Sequence, residues 1–229
     1  MAYIVGFTGY AGAGKDTLAT FVRDALDAVA VPVKMVSFAN PIREIANGLG
    51  FSPYVRETKE TVSEVMFPDF ESALMEEIEN QLSGLVAEDE LAKLYAFTLE
   101  ELREQGRLVG DTLTISPRRL CQIIGTEGGR RVNERFWEDV LLNDVDDFEG
   151  VALVTDVRFP NEVDVCDHVV YVERKGCVPV AAHESERHIE SIAKGANSAV
   201  SNSGSFGDLE LVSESIAETV RVALSDTVK

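Results

Sequence analysis

The nine residues Gly9-Tyr10-Ala11-Gly12-Ala13-Gly14-Lys15-Asp16-Thr17 place two glycines five apart and a lysine directly after the second. In that spacing, successive backbone N–H groups turn inward around phosphate oxygens, a helix N-terminus adds partial positive charge, and the lysine reaches a transferred phosphoryl group. A glycine-rich turn that merely joins a strand to a helix is the competing explanation. Two such glycines with Lys and Thr coincide by chance in on the order of one per cent of chains this long. Gly12, Ala13, Gly14, Lys15, Asp16 and Thr17 are therefore the candidate cradle for a nucleotide's phosphates. The Ser or Thr usual after the lysine is Asp16 here, with Thr17 one place later. Asp16 is a candidate to hold a magnesium-bound water and Thr17 to contact a more distal phosphate, which makes this pair the candidate metal site.

Asp156 follows the apolar run Val151 to Thr155, where a parallel α/β sheet presents its ligands. A carboxylate there orients magnesium or polarises a substrate group, and Arg158 two residues on offers a bidentate fork to a phosphate. Arg118, Arg119, Arg130, Arg131 and Arg135 put five of the 14 arginines within 18 residues. For Arg131 and Arg135, four apart, the favoured reading is a solvated helical face; for Arg118 and Arg130, beside a glycine-broken segment, it is substrate contact. Trp137 fits a core position better than a base-stacking platform. His183 lies in a polar stretch without a second ligand at metal spacing, and Arg174 and Arg187 border or lie in that stretch, candidates to close over phosphates, with ordinary surface charge an equal reading for Arg187.

The elements that must position these residues follow from periodicity. Tyr3 to Thr8 reads as a buried strand, and Leu18, Phe21, Val22, Ala25, Leu26 and Val29 then recur at helical spacing. Val33 to Phe38 is a second strand, with Pro41 opening a helix that carries Ile42, Ile45, Ala46 and Leu49. From Glu57 to Glu104 there is no strand pattern, 14 acidic residues stand against three basic ones, and Leu74, Ile78, Leu82, Leu85, Leu91, Leu94, Tyr95 and Leu99 predict helices. Leu108 to Ile115 is a short extended or turn segment. Two further helices, Pro117 to Ile124 and Arg135 to Val145, are expected with Gly125, Gly128 and Gly129 interrupting between them. Strand, helix and strand return at Val151 to Thr155, near Pro160 and at His168 to Val172. A short strand at Ala199 to Asn202 and a final helix with Leu209, Val212, Ile216, Val220 and Leu224 close the pattern of a parallel α/β sheet.

With 229 residues, 45% of them hydrophobic, the chain can bury one sizeable core and is large for one domain but small for two. A net charge of -19 repels nucleic-acid backbones and anionic membranes, so neither is an expected partner. The acid-rich, lysine-poor balance is a compositional pointer to a high-salt interior. Three cysteines without CxxC spacing point to neither a disulfide framework nor zinc. The N-terminus has no signal-peptide pattern and no apolar run spans a membrane, so a cytoplasmic location is expected, the host's cytoplasm if the chain is viral.

Several blocks together resemble the deoxynucleoside monophosphate kinases of tailed viruses of prokaryotes, a branch of the P-loop kinases related to adenylate kinase. They are Gly14 to Thr17, Ser37-Phe38-Ala39-Asn40-Pro41-Ile42-Arg43-Glu44, Ser116-Pro117-Arg118 leading into Gly125-Thr126-Glu127, Arg130 with Phe136-Trp137, Thr155 to Glu162, His183 to Glu186, and Ser201-Asn202 before Gly204. The resemblance implies an α/β fold, a three-layer P-loop kinase core over residues 1–229 with about five parallel strands; the acidic stretch without strand pattern reads as a helical insertion at 52–110 and the polar stretch as a lid loop at 174–195. The resemblance implies transfer of the γ-phosphoryl of ATP to a dNMP, with magnesium. Lys15, Asp16, Asp156, Arg158 and Arg174 would act in transfer and Gly12 to Thr17 with Asn202 would bind ATP, Asn202 and the following turn at the adenine edge. Arg43, Arg118, Glu127, Arg130, Trp137, Asp156 and Arg158 would surround the dNMP. Other readings share parts of this pattern: a phosphomevalonate or dephospho-coenzyme A type of P-loop kinase, or a non-catalytic nucleotide-binding protein. The oligomeric state stays open, a homodimer included.

Overall fold

The computed structural model describes residues 2–55, 57–105, 108–177 and 188–227. In chain order its elements are β1 (Tyr3–Thr8), α1 (Lys15–Asp27), β2 (Val33–Val36), α2 (Asn40–Gly48), β3 (Ser63–Met66), α3 (Phe67–Leu82), α4 (Glu88–Glu104), β4 (Leu108–Val109), β5 (Thr112–Ile115) and α5 (Pro117–Gln122). A π-helix (Ile123–Gly129) runs into α6 (Arg130–Val132). Then come α7 (Phe136–Val145), β6 (Val151–Val154), α8 (Pro160–Val163), β7 (His168–Glu173), α9 (Ile189–Gly195), β8 (Ser198–Ser201) and α10 (Phe206–Thr227). They form two compact units: Met1–Ser37 with Val145–Lys229, and Phe38–Asp144. The boundaries differ from the 52–110 expected for an insertion, because α2, α5, the π-helix and most of α7 belong with α3 and α4.

The first unit is built on a five-stranded sheet in the order β2-β6-β1-β7-β8, and each neighbouring pair is parallel. Tyr3 pairs with Val151 and Val5 with His168, so β1 is central and its run is apolar on both faces, as a strand covered on both sides must be. Val5, Phe7, Leu18, Val22 and Leu26 share one core with Leu209, Ile216 and Val220 of α10. Burying such side chains contributes about 2 kcal/mol each. Val29 departs from its expected core position: α1 stops at Asp27, the chain turns through Ala30 at φ 58°, and Val29 is left exposed.

In the second unit Leu74, Ile78 and Leu82 of α3 and Leu91, Leu94 and Leu99 of α4 are buried, as their spacing predicts. Two findings run against expectation. Ser63–Met66 is a strand, pairing antiparallel with β5 in a small sheet ordered β3-β5-β4. Only Val65 on it is partly buried, so no alternation marks it in the sequence. Gly125, Gly128 and Gly129 do not interrupt the helix but lie within the π-helix that continues α5. Among the described residues no helix is long and apolar enough to cross a membrane.

Candidate active site

The parallel order of the first unit brings the carboxyl ends of five strands to one edge, and the residues singled out for chemistry in this unit lie just beyond them. After β1 comes the phosphate loop. Gly9, Gly12 and Gly14 have φ of 145°, 79° and 93°, which only glycine adopts without strain. Gly9 is also pressed onto β7, where a Cβ would come within 2.2 Å of the Val172 carbonyl oxygen. Gly14 is the residue before α1 and no side chain caps that helix, which leaves its N-terminal N–H groups to an incoming anion. Lys15 is buried, and its Nζ donates to Gly9 O at 2.8 Å and Tyr10 O at 3.1 Å, holding the ammonium over the loop. Asp16 is exposed and Thr17 half-buried in the first turn of α1.

Beyond β6, Asp156 is buried, and Ser37 at the end of β2 donates from Oγ to its Oδ2 at 3.0 Å. Arg158 and Phe159 both donate their backbone N–H groups to Glu162 Oε2, at 2.7 and 3.0 Å, so a buried carboxylate fixes the turn that carries Arg158. Beyond β7 and β8, exposed Arg174 and half-buried Asn202 line a cavity of about 260 Å³ together with Gly14, Thr17, Ser203 and Phe206. Asn202 Nδ2 donates to Ala13 O at 2.8 Å. Its amide braces the phosphate loop. His183, Arg187 and the rest of the 178–187 part of the 174–195 lid segment lie outside the described residues.

The arginines of the second unit are largely claimed by carboxylates. Arg118 pairs with Glu60 at 2.6 Å, Arg119 with Glu127 at 2.6 Å and Arg131 with Glu100 at 2.8 Å, the last also lying 4.2 Å over the Phe97 ring. Arg43 on α2 faces Cys121 of α5 electrostatically, and burial of that thiol pushes its pKa up to about 11, with Arg43 opposing the shift. Glu138 is buried and its carboxyl pKa is raised by burial, with Arg130 and Arg135 acting against the rise. Trp137 occupies the core position that its residue type favours. It is 3% exposed and its indole N–H donates to Gly125 O at 2.7 Å, so neither ring face is open to a base.

Comparison with known proteins now carries weight. The sequence model of the deoxynucleotide monophosphate kinase family matches residues 52–212. A deoxynucleoside-5'-monophosphate kinase of Escherichia phage T5 is 31% identical over 176 residues, covering 71% of this chain and 70% of the relative. The chain belongs to the deoxynucleotide monophosphate kinase family. The model of a second kinase family, adenylylsulphate kinase, matches residues 1–75, the part that carries the phosphate loop. The five-stranded parallel sheet with its flanking helices is that of a P-loop kinase.

For this kinase the donor set tests whether magnesium fits. Asp16 and Thr17 offer hard oxygen ligands, and among the described residues no cluster of three His, Cys, Asp or Glu could cage an ion. That fits an ion which keeps several waters and takes its other oxygens from phosphates. Two positioning residues, Ser37 and Glu162, were not singled out individually in the sequence. Glu162 stands three residues after Phe159 with Pro160 between, the spacing of a capping box, and Ser37 ends a strand as Asp156 does; both signals are local and readable.

Proposed function

We propose that the chain transfers the γ-phosphoryl group of ATP to the α-phosphate of a deoxynucleoside monophosphate, giving the diphosphate and ADP. The observation that carries this reading is the gathering of Lys15, the Ser37–Asp156 pair, Arg174 and Asn202 at one sheet edge in a member of this kinase family. Transfer needs two anionic groups held in line and their charge neutralised, so positioning and electrostatics supply most of the rate. In this reading Gly12 to Thr17 hold the donor's phosphates and the cavity lined by Phe206 and Asn202 takes its base. Lys15 and Arg174 offset charge on the group in transit. Asp156, oriented by Ser37, and Arg158, held by the Glu162 cap, act on the acceptor; Arg43, Arg118, Glu127 and Arg130 of the second unit are assigned to it by the family resemblance. Asp16 and Thr17 would hold magnesium, which supplies charge neutralisation between the donor phosphates. The acceptor phosphate is already ionised at neutral pH, so no strong general base is needed.

An ADP-release assay across an acceptor panel tests this. The expected result is ADP formation dependent on deoxynucleoside monophosphates, with no turnover on phosphomevalonate, dephospho-coenzyme A or adenylylsulphate. Turnover confined to one of those acceptors, or DNA-stimulated hydrolysis without a phosphorylated product, would overturn it.

A further inference from the structure

Glu127 and Arg130, two of the residues assigned above to the acceptor, lie in and directly after the π-helix, and one carbonyl of that wide turn takes two donors. Gly125 O accepts the N–H of Arg130, five residues on, and also the indole N–H of Trp137 at 2.7 Å. The turn is packed from three directions, and each contact needs a glycine. A Cβ on Gly125 would come within 2.9 Å of Ile42 Cδ1, one on Gly128 within 2.7 Å of Thr98 Oγ1, and one on Gly129 within 2.5 Å of Trp137 Nε1. The Trp137 ring is itself fixed edge-on against Phe136, with centroids 4.9 Å apart. Five-residue turns of this kind are rare and persist where tertiary contacts hold them. If this one relaxed to α-helical spacing, the residues after it would rotate by about 100° per residue of register lost, carrying Arg130 to another face.

We infer that Trp137 is a positioning residue for the deoxynucleoside monophosphate. By bonding Gly125 O and filling the space against Gly129, it holds the π-helical register that aims Glu127 and Arg130. This rests on the assignment of those two residues to the acceptor. It acts through the turn and not by stacking, since the buried indole has no open face. One consequence separates the two roles: Phe in place of Trp137 keeps a ring for stacking but loses the N–H.

The experiment compares Trp137→Phe and Arg130→Ala with the wild type in steady-state kinetics on purine and pyrimidine deoxynucleoside monophosphates. Trp137→Phe is expected to raise every acceptor KM by a similar factor of about five to ten, the size of one lost hydrogen bond, and to leave the ATP KM unchanged. An unchanged acceptor KM, or a rise confined to one class of base, would overturn the inference. A variant that merely folds poorly would lose turnover with both KM values unchanged, and a parallel rise in the ATP KM would show a disturbance beyond the acceptor; either result counts against the inference. If Arg130→Ala leaves acceptor KM unchanged, the acceptor assignment itself is wrong and the inference falls with it; if only Trp137→Phe is silent, the inference alone fails. Trp137 is the one tryptophan of the chain, so wild-type fluorescence reads it directly. Its emission is expected to hold steady as the monophosphate saturates the enzyme, and strong quenching would mean that the ring meets the base.

Discussion

The two units prepare for anions by different means. In the first, the backbone does most of the work: three glycines with positive φ shape the loop, the uncapped α1 terminus offers N–H groups, and Lys15 is held across the loop by two of its carbonyls. In the second, side-chain cations sit on helices, and Arg118, Arg119 and Arg131 are each paired with a carboxylate. A site made of backbone is specified by which residues permit the turn, so a motif announces it. A site made of arginines depends on which acid claims each one, and that is settled by residues far away in sequence, such as Glu60 for Arg118.

This contrast can be broken at several points. The largest effect is expected from Lys15→Ala, which should lower turnover by about a thousandfold while the melting temperature stays close to that of the wild type. Retained ADP release would remove the phosphate loop from the chemistry. Next comes a pair of arginines that the structure treats differently. On the acceptor role proposed for it, Arg158→Ala should raise the acceptor KM about tenfold, since its turn is fixed by the buried Glu162 and a guanidinium offers a phosphate a bidentate fork. Arg131→Ala should leave kinetics unchanged and cost less than about 1 kcal/mol of stability in denaturant melts, since its pair with Glu100 is solvent-exposed. Equal effects at the two positions would erase the distinction between an arginine proposed for the acceptor and one on a solvated helical face.

The smallest effect concerns pH and the first unit alone. His168 is buried beside Ser198 Oγ, 2.9 Å from Nε2, and burial lowers its pKa below the ordinary 6.5. The folded state then binds the proton less well than the unfolded chain. Its stability is therefore full above about pH 6.5 and falls as pH drops from there towards the lowered value. Melting temperatures between pH 7.5 and 5 should decline by a few degrees in the wild type from this cause, and His168→Gln should flatten that part of the curve. An unaltered slope would assign the decline to other groups.

Much of the first unit was legible because its determinants are local. The apolar run of β1, the glycines, Lys15 and the α1 periodicity are contiguous, and Asp156 is placed by the end of a strand that is apolar throughout. The second unit was legible in its helices, where Leu74, Ile78 and Leu82 repeat at the expected spacing, and opaque elsewhere. Strand β3 has no alternating pattern, since only Val65 turns towards the interior. Gly125, Gly128 and Gly129 read as helix breakers because glycine lowers helix propensity, yet here the missing side chains let Ile42, Thr98 and Trp137 approach the turn. Trp137 read as a core residue by type, but nothing local showed that its indole N–H would bond Gly125 O.

The sequence by itself determined the kind of chemistry: a phosphate cradle, a carboxylate at a strand end, and an excess of arginine in one stretch of an acidic chain. These depend on residue type and short spacing, which survive in any fold that forms the strand, turn and helix. The tertiary structure decided which groups are engaged. Ser37 meets Asp156 because β2 and β6 are adjacent in the sheet, Arg118 is held by Glu60, and Trp137 closes on Gly125, each contact joining residues between 12 and 119 positions apart. Pairings of that range arise from packing, and no local pattern encodes them.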